Sequence, residues 1–135
     1  MARKYIIDTH ALIWYLEGNP RLGIQAQAVM SEPESVLVLP VIALAEAVHI
    51  VAKGRTSISS VVTLMAAVQD APHLEIASLT WEIVQQSLTL TAVPEIHDRL
   101  IVATAVYLQG QGHEVLLLTR DEEMQQSGVV PVIWQ

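Results

Sequence analysis

Short apolar runs alternate with helix-like stretches along this chain, and that alternation leaves few folds open. Tyr5-Ile6-Ile7, Ser35 to Leu39, Leu74 to Ala77, Glu114 to Leu118 and Val129 to Ile133 are brief and apolar, and read as five strands. Between them lie helical stretches with recognisable stops. Ala11 to Leu16 ends at Gly18-Asn19-Pro20, and Leu22 to Met30 has Pro33 just beyond it. Val41 to Lys53 is entered at Pro40, whose missing N–H suits a first turn, and closes at Gly54. Ser57 to Asp70 carries Val61, Leu64, Met65 and Val68 at helical spacing. Trp81 to Leu90, Ile96 to Leu108 and Asp121 to Gln126 complete the set. Strands separated by helices make right-handed βαβ units. The expected fold class is therefore α/β, a three-layer α/β/α sandwich with a mostly parallel five-stranded sheet.

The chain has 135 residues, the length of one domain, so residues 1–135 are expected to form a single unit. Hydrophobic residues make up 52% and charged residues 16%, enough apolar material for a core and too much for disorder. The absence of cysteine excludes disulfide scaffolds, thiolate zinc sites and cysteine nucleophiles, and fits a cytoplasmic location. Met1-Ala2-Arg3-Lys4 leads into only a short apolar run, so no signal peptide is expected. No apolar run reaches the roughly 18 residues of a membrane span. The net charge of −7 argues against a broad basic face for nucleic acid, and suits carboxylates gathered around a cation.

In open α/β sheets, ligands sit beyond the carboxyl ends of the strands where strand order reverses. A 3-2-1-4-5 order sets strands one and four side by side there, so Asp8 and Asp121 would face each other. Glu46, in an alanine-rich helix, and Asp98, in the first turn of the most apolar helix, should reach the same edge. Each acid has a plainer explanation. Asp8 can cap the following helix, Asp98 can complement a helix dipole, and Asp121 with Glu122 and Glu123 can open a helix. Arg99 and Arg120 stand next to two of the acids and could pair with them. Glu46, in core-like company, is the hardest to explain structurally. Carboxylate oxygens are hard ligands suited to Mg²⁺ or Mn²⁺, and such an ion can activate water against a phosphodiester.

Four segments, in order, resemble the PIN-domain ribonucleases, and especially the VapC-like toxins of type II toxin–antitoxin pairs. They are Tyr-Ile-Ile-Asp-Thr-His-Ala-Leu-Ile-Trp (5–14), Ala-Leu-Ala-Glu-Ala (43–47), His-Asp-Arg-Leu-Ile-Val-Ala-Thr-Ala (97–105) and Leu-Leu-Thr-Arg-Asp (117–121). The resemblance covers essentially the whole chain. It implies a PIN-like fold and a metal-dependent endoribonuclease in which Asp8, Glu46, Asp98 and Asp121 form an acidic quartet holding Mg²⁺ or Mn²⁺. Thr9 and Thr119 match positions that carry a hydroxyl beside the site. It also implies an RNA substrate, a cognate antitoxin docking near the site, and homodimerisation. Lys53, Arg55, Arg99 and Arg120 are the cations expected to meet RNA phosphates.

Two other functions compete. Asp8 could be a phospho-acceptor, but position 10 is His where aspartate-based phosphatases want a second Asp, and the acid pair and later lysine of receiver domains are not evident. The acids could instead be helix caps in an inactive PIN-like interaction module. Glu46-Ala-Val-His49 has di-iron spacing but no second copy. His10 and His97, beside the proposed ligands, read as local hydrogen-bonding groups. Trp14, Trp81 and Trp134 read as core or interface anchors rather than base-stacking platforms. No glycine-rich phosphate loop is present.

Overall fold

A computed structural model describes residues 3–135, so Met1 and Ala2 of the leader reading lie outside the described residues. The order of elements is β1 (Arg3–Ile7), α1 (Thr9–Glu17), α2 (Ile24–Ser31), β2 (Val36–Pro40), α3 (Val41–Ala52), α4 (Val61–Asp70), β3 (Leu74–Ala77), α5 (Trp81–Ser87), α6 (Ile96–Gly110), β4 (Glu114–Leu118) and α7 (Glu122–Gln126). All strand pairs are parallel, in the order β3-β2-β1-β4. The chain steps outward from β1 to β3 and then crosses back past β1 to β4, so the order reverses between β1 and β4. Right-handed crossovers put α1 to α4 on one face and α5 and α6 on the other. Burial agrees with helices on both faces. Neighbouring residues of a strand point to opposite faces, yet Ile6 and Ile7 are both buried, as are Leu37, Val38 and Leu39. Each such side chain contributes about 1.5–3 kcal/mol when taken from water.

The sheet has four strands, which corrects the five-stranded reading. Val132 makes one parallel bridge to Leu117, through Leu117 N–H to Pro131 O (2.8 Å) and Ile133 N–H to Leu117 O (3.0 Å). The ladder cannot grow toward the N-terminus, because its next donor would be Pro131, which has no N–H. In the other direction, the Thr119 carbonyl is taken by the Gln125 side-chain amide at 2.9 Å. The segment lies where a fifth strand would, but contributes a single rung.

Helix boundaries follow the caps. Ser60 accepts from Thr63 N–H, so the helix expected from Ser57 begins at Val61. Thr80 caps α5 in the same way. Gly18 and Gly54, which close α1 and the loop after α3, have φ of 66° and 69°, which side chains with a Cβ rarely adopt. Trp134 is buried, whereas Trp81 is 72% exposed and is no core anchor. Among the described residues no helix is long and apolar enough to cross a membrane.

Candidate active site

The strand register brings the first two acids together. Ile7 is opposite Leu118, so the residues that follow them, Asp8 and Thr119, leave the sheet side by side. Asp8 caps α1 by accepting from Ala11 N–H at 2.8 Å. Its other oxygen accepts from the Thr119 hydroxyl, and that hydroxyl oxygen accepts from Asp121 N–H at 3.0 Å. Asp121 in turn caps α7 through Met124 N–H at 2.9 Å. Thr119 is fully buried and links the Asp8 carboxylate to the Asp121 backbone N–H. Burial pushes the Asp8 carboxyl up to about 6, despite the hydrogen bonds from Thr119 and Ala11 that favour its charged form.

Glu46 reaches this edge from the second turn of α3, where Thr9 Oγ1 donates to Glu46 Oε1 at 2.9 Å. Asp98 reaches it from the first turn of α6, but the cap of that helix is Glu95, whose Oε2 accepts from Asp98 N–H at 2.8 Å. The Asp98 carboxylate therefore has no cap to make, and it has no hydrogen bond or ion pair among the described residues. Half-buried, it is pushed up to about 7, first by desolvation and then by repulsion from Asp121, Glu95, Glu46 and Asp8. His97 Nδ1 lies 2.6 Å from Glu95 Oε1 and 3.7 Å from Glu46 Oε2, bridging two acids at the rim. Its pKa is raised, mainly by the bond to Glu95.

Asp8, Glu46, Glu95, Asp98 and Asp121 line one cleft of about 450 Å³, with Thr9, His10, Trp14, Ile50 and Arg120 on its walls. The four acids named from the sequence thus share a cleft, and Thr9 and Thr119 each hold one of them. Glu95 was missed, although its place between Pro94 and a helix start is a capping signal that the sequence already carried. The ion pairs open to Arg99 and Arg120 as an alternative are not formed among the described residues. Arg99 turns to backbone carbonyls, with Nε donating to Val93 O at 2.7 Å, and the Arg120 guanidinium lies 5.8 Å from the centre of the Trp14 ring. Among the described residues no lysine or arginine bridges a cleft carboxylate.

The donor set suits a hard divalent ion: oxygen only, partly desolvated, and short of compensating charge. It is not a ready-made cage. Among the described residues no group of three or more His, Cys, Asp or Glu side chains is gathered tightly enough to hold a metal. The physical reason is visible in the bonds. Asp8, Glu46 and Asp121 are each held by a neighbouring donor, and like charges keep the carboxylates apart.

The sequence profile of the PIN domain matches residues 5–129. The chain belongs to the PIN domain family. PIN domains are in general nucleases. Solved structures of similar fold include a chain of VapBC2 from Rickettsia felis bound to a DNA fragment from its promoter, with a TM-score of 0.70, 14% identity, and coverage of 98% of this chain and 99% of that one. A toxin–antitoxin complex from Klebsiella pneumoniae gives 0.68 and 20%, covering 96% and 95%. FitAcB from Neisseria gonorrhoeae gives 0.65 and 16%, covering 96% of each. At these identities the likeness establishes the PIN fold and nothing finer. Among curated proteins none matches the chain by sequence.

Proposed function

We propose that residues 1–135 form one PIN-like domain that is a Mg²⁺-dependent endoribonuclease, the toxin of a toxin–antitoxin pair. One observation carries the reading: Asp98 is a half-buried carboxylate without a partner among the described residues, set among four other acids. Capping accounts for Asp8 and Asp121 in a purely structural module, but it does not account for Asp98. An unpaired desolvated charge is costly, and a divalent cation would relieve that cost. The folds of known toxin–antitoxin complexes support the toxin role and an antitoxin partner. Homodimerisation and a cytoplasmic location belong to the same proposal.

Asp8, Glu46, Asp98 and Asp121 would hold Mg²⁺, or Mn²⁺ in its place. When bound, the ion would supply charge neutralisation at the phosphodiester and a lowered pKa for attacking water. Thr119 fixes Asp8, and Thr9 fixes Glu46, so that neither carboxylate must be ordered anew. One carboxylate of this set, or hydroxide held by the ion, would activate the attacking water. A phospho-acceptor role for Asp8 fits poorly, because the side chain is buried and both oxygens are already engaged.

The test is hydrolysis of a labelled RNA with Mg²⁺, with a chelator, and with Asp98→Asn. Cleavage should need the metal and the carboxylate. Cleavage that survives both changes would overturn the reading. Expression in a host should arrest growth, with relief by Asp8→Asn or by the neighbouring small open reading frame.

A further inference from the structure

The entry to α6 reads Pro94-Glu95-Ile96-His97-Asp98, and its cap is an unusual choice. Helix caps are mostly Asn, Asp, Ser or Thr, whose short side chains reach the free N–H groups of the first turn. Glu95 does this with a longer side chain and uses both of its oxygens. Oε2 accepts from Asp98 N–H at 2.8 Å, and Oε1 lies 2.6 Å from His97 Nδ1. A serine offers a single oxygen, enough for the cap and not for the ring as well. The same turn is tied from its other side by Arg99, whose Nε and Nη2 donate to Val93 O and Pro94 O at 2.7 and 3.4 Å. Arg99 is therefore occupied by backbone and stays off the neighbouring Asp98.

Asp98 is the third residue of α6. An acid at that position ordinarily turns back to accept from the N–H of the capping residue. Here its carboxylate makes no hydrogen bond among the described residues and lines the cleft instead. His97, held by Glu95, stands with Nδ1 3.7 Å from Glu46 Oε2, so the same grip reaches the acid delivered by α3. We infer that Glu95 is a positioning residue of this site: by holding Asp98 N–H and His97 Nδ1 it caps α6 itself, and so keeps the Asp98 carboxylate facing the cleft and free to meet a divalent ion. The inference rests on the nuclease reading and adds to it a residue that acts through Asp98. Groups that orient metal ligands matter nearly as much as the ligands, since losing one typically costs about 10–100-fold in metal affinity.

The experiment compares wild type, Glu95→Ser and Glu95→Gln by calorimetric titration with Mn²⁺, by thermal melts without metal, and by crystal structures without metal. Glu95→Ser keeps a good cap and turns the entry into a Ser-x-x-Asp capping box. Its melting temperature should be level with wild type or higher. Its Asp98 carboxylate should turn back onto the N–H of residue 95, and its Mn²⁺ affinity should fall about 10-fold or more. The accompanying loss of RNA hydrolysis should shrink as Mn²⁺ is raised. Glu95→Gln keeps an acceptor oxygen for Asp98 N–H and an amide for the ring, and should recover most of the affinity. A melting temperature that falls in step with Mn²⁺ affinity would make Glu95 a structural cap alone and overturn the inference. An Asp98 that keeps its direction in Glu95→Ser would overturn it too. So would a Glu95→Gln as weak as Glu95→Ser, which would assign the effect to charge. A wild type that neither binds Mn²⁺ nor cuts RNA would overturn the nuclease reading, while the direction of Asp98 in the metal-free crystals still decides whether Glu95 sets it.

Discussion

The two ends of β1 treat charge in opposite ways. At its start, Arg3 meets Glu114 at 2.8 Å and Lys4 meets Glu75 at 2.9 Å, each across to another strand of the sheet. At its end, Asp8 sits among Glu46, Glu95, Asp98 and Asp121 with no lysine or arginine bridging any of them. The first arrangement closes its own electrostatics and needs nothing from outside. The second is held together by hydroxyl and backbone donors, and it leaves a charge deficit that a ligand can fill. In this molecule, unbalanced charge sets the acidic edge of the sheet apart from the opposite one.

The largest expected effect lies at the acidic end. Asp98→Asn should lower RNA hydrolysis by about 10²–10⁴-fold. Its melting temperature without metal should stay level or rise at pH 8, since repulsion is removed, and a thermal melt beside the kinetic assay checks both. A drop in stability with the loss of activity would mean that Asp98 is structural, and the contrast between the two ends would fail.

Next comes Thr119→Val, which leaves a buried Asp8 oxygen and the Asp121 N–H without their shared hydroxyl. It should cost about 1–3 kcal/mol in urea unfolding, and should push the Asp8 carboxyl further above about 6.

The pH dependence is smaller and has a definite sign. Asp8 and Asp98 have folded values raised to about 6 and about 7, so the native state holds protons that the unfolded chain has already lost. Their contribution is present below the ordinary carboxylate range and disappears as pH rises through about 6 and then about 7. His97, also raised, is lost in the same direction as pH passes its folded value. Metal-free protein should therefore melt at a lower temperature at pH 8 than at pH 5. Mn²⁺ should restore stability at pH 8 and do little at pH 5. Calorimetric melts at the two pH values decide this, and a rise in metal-free stability toward pH 8 would contradict it.

The smallest effect belongs to the balanced end. Arg3→Ala should cost no more than about 1 kcal/mol, as exposed pairs do, and leave hydrolysis unchanged. Chemical denaturation and the RNA assay check the two parts.

The strands β1 to β4 and most helices were legible because period and punctuation are local: apolar triplets ended by Asp8 or Thr119, and helices closed by Gly18 and Gly54. The fifth strand was overread, although Pro131 stood in the sequence with its missing donor. Glu95 was overlooked because Asp98 looked like the acid of that first turn. Caps, unlike acids, are assigned by where the backbone turns. The stack of Arg120 on Trp14 had no local signature. Those residues meet through packing between elements remote in the chain.

What the amino-acid order determined by itself is the alternation of elements, and with it the delivery of Asp8, Glu46, Asp98 and Asp121 to one edge. Periodicity sets strand and helix, and handed crossovers leave little freedom in where their ends go. Tertiary structure decided which charges are cancelled and which are not. Arg99 stands next to Asp98 in sequence yet donates to Val93 O, while Glu95 takes the cap. A carboxylate's partners depend on distances of a few ångströms between elements, and neighbours in sequence do not fix those distances.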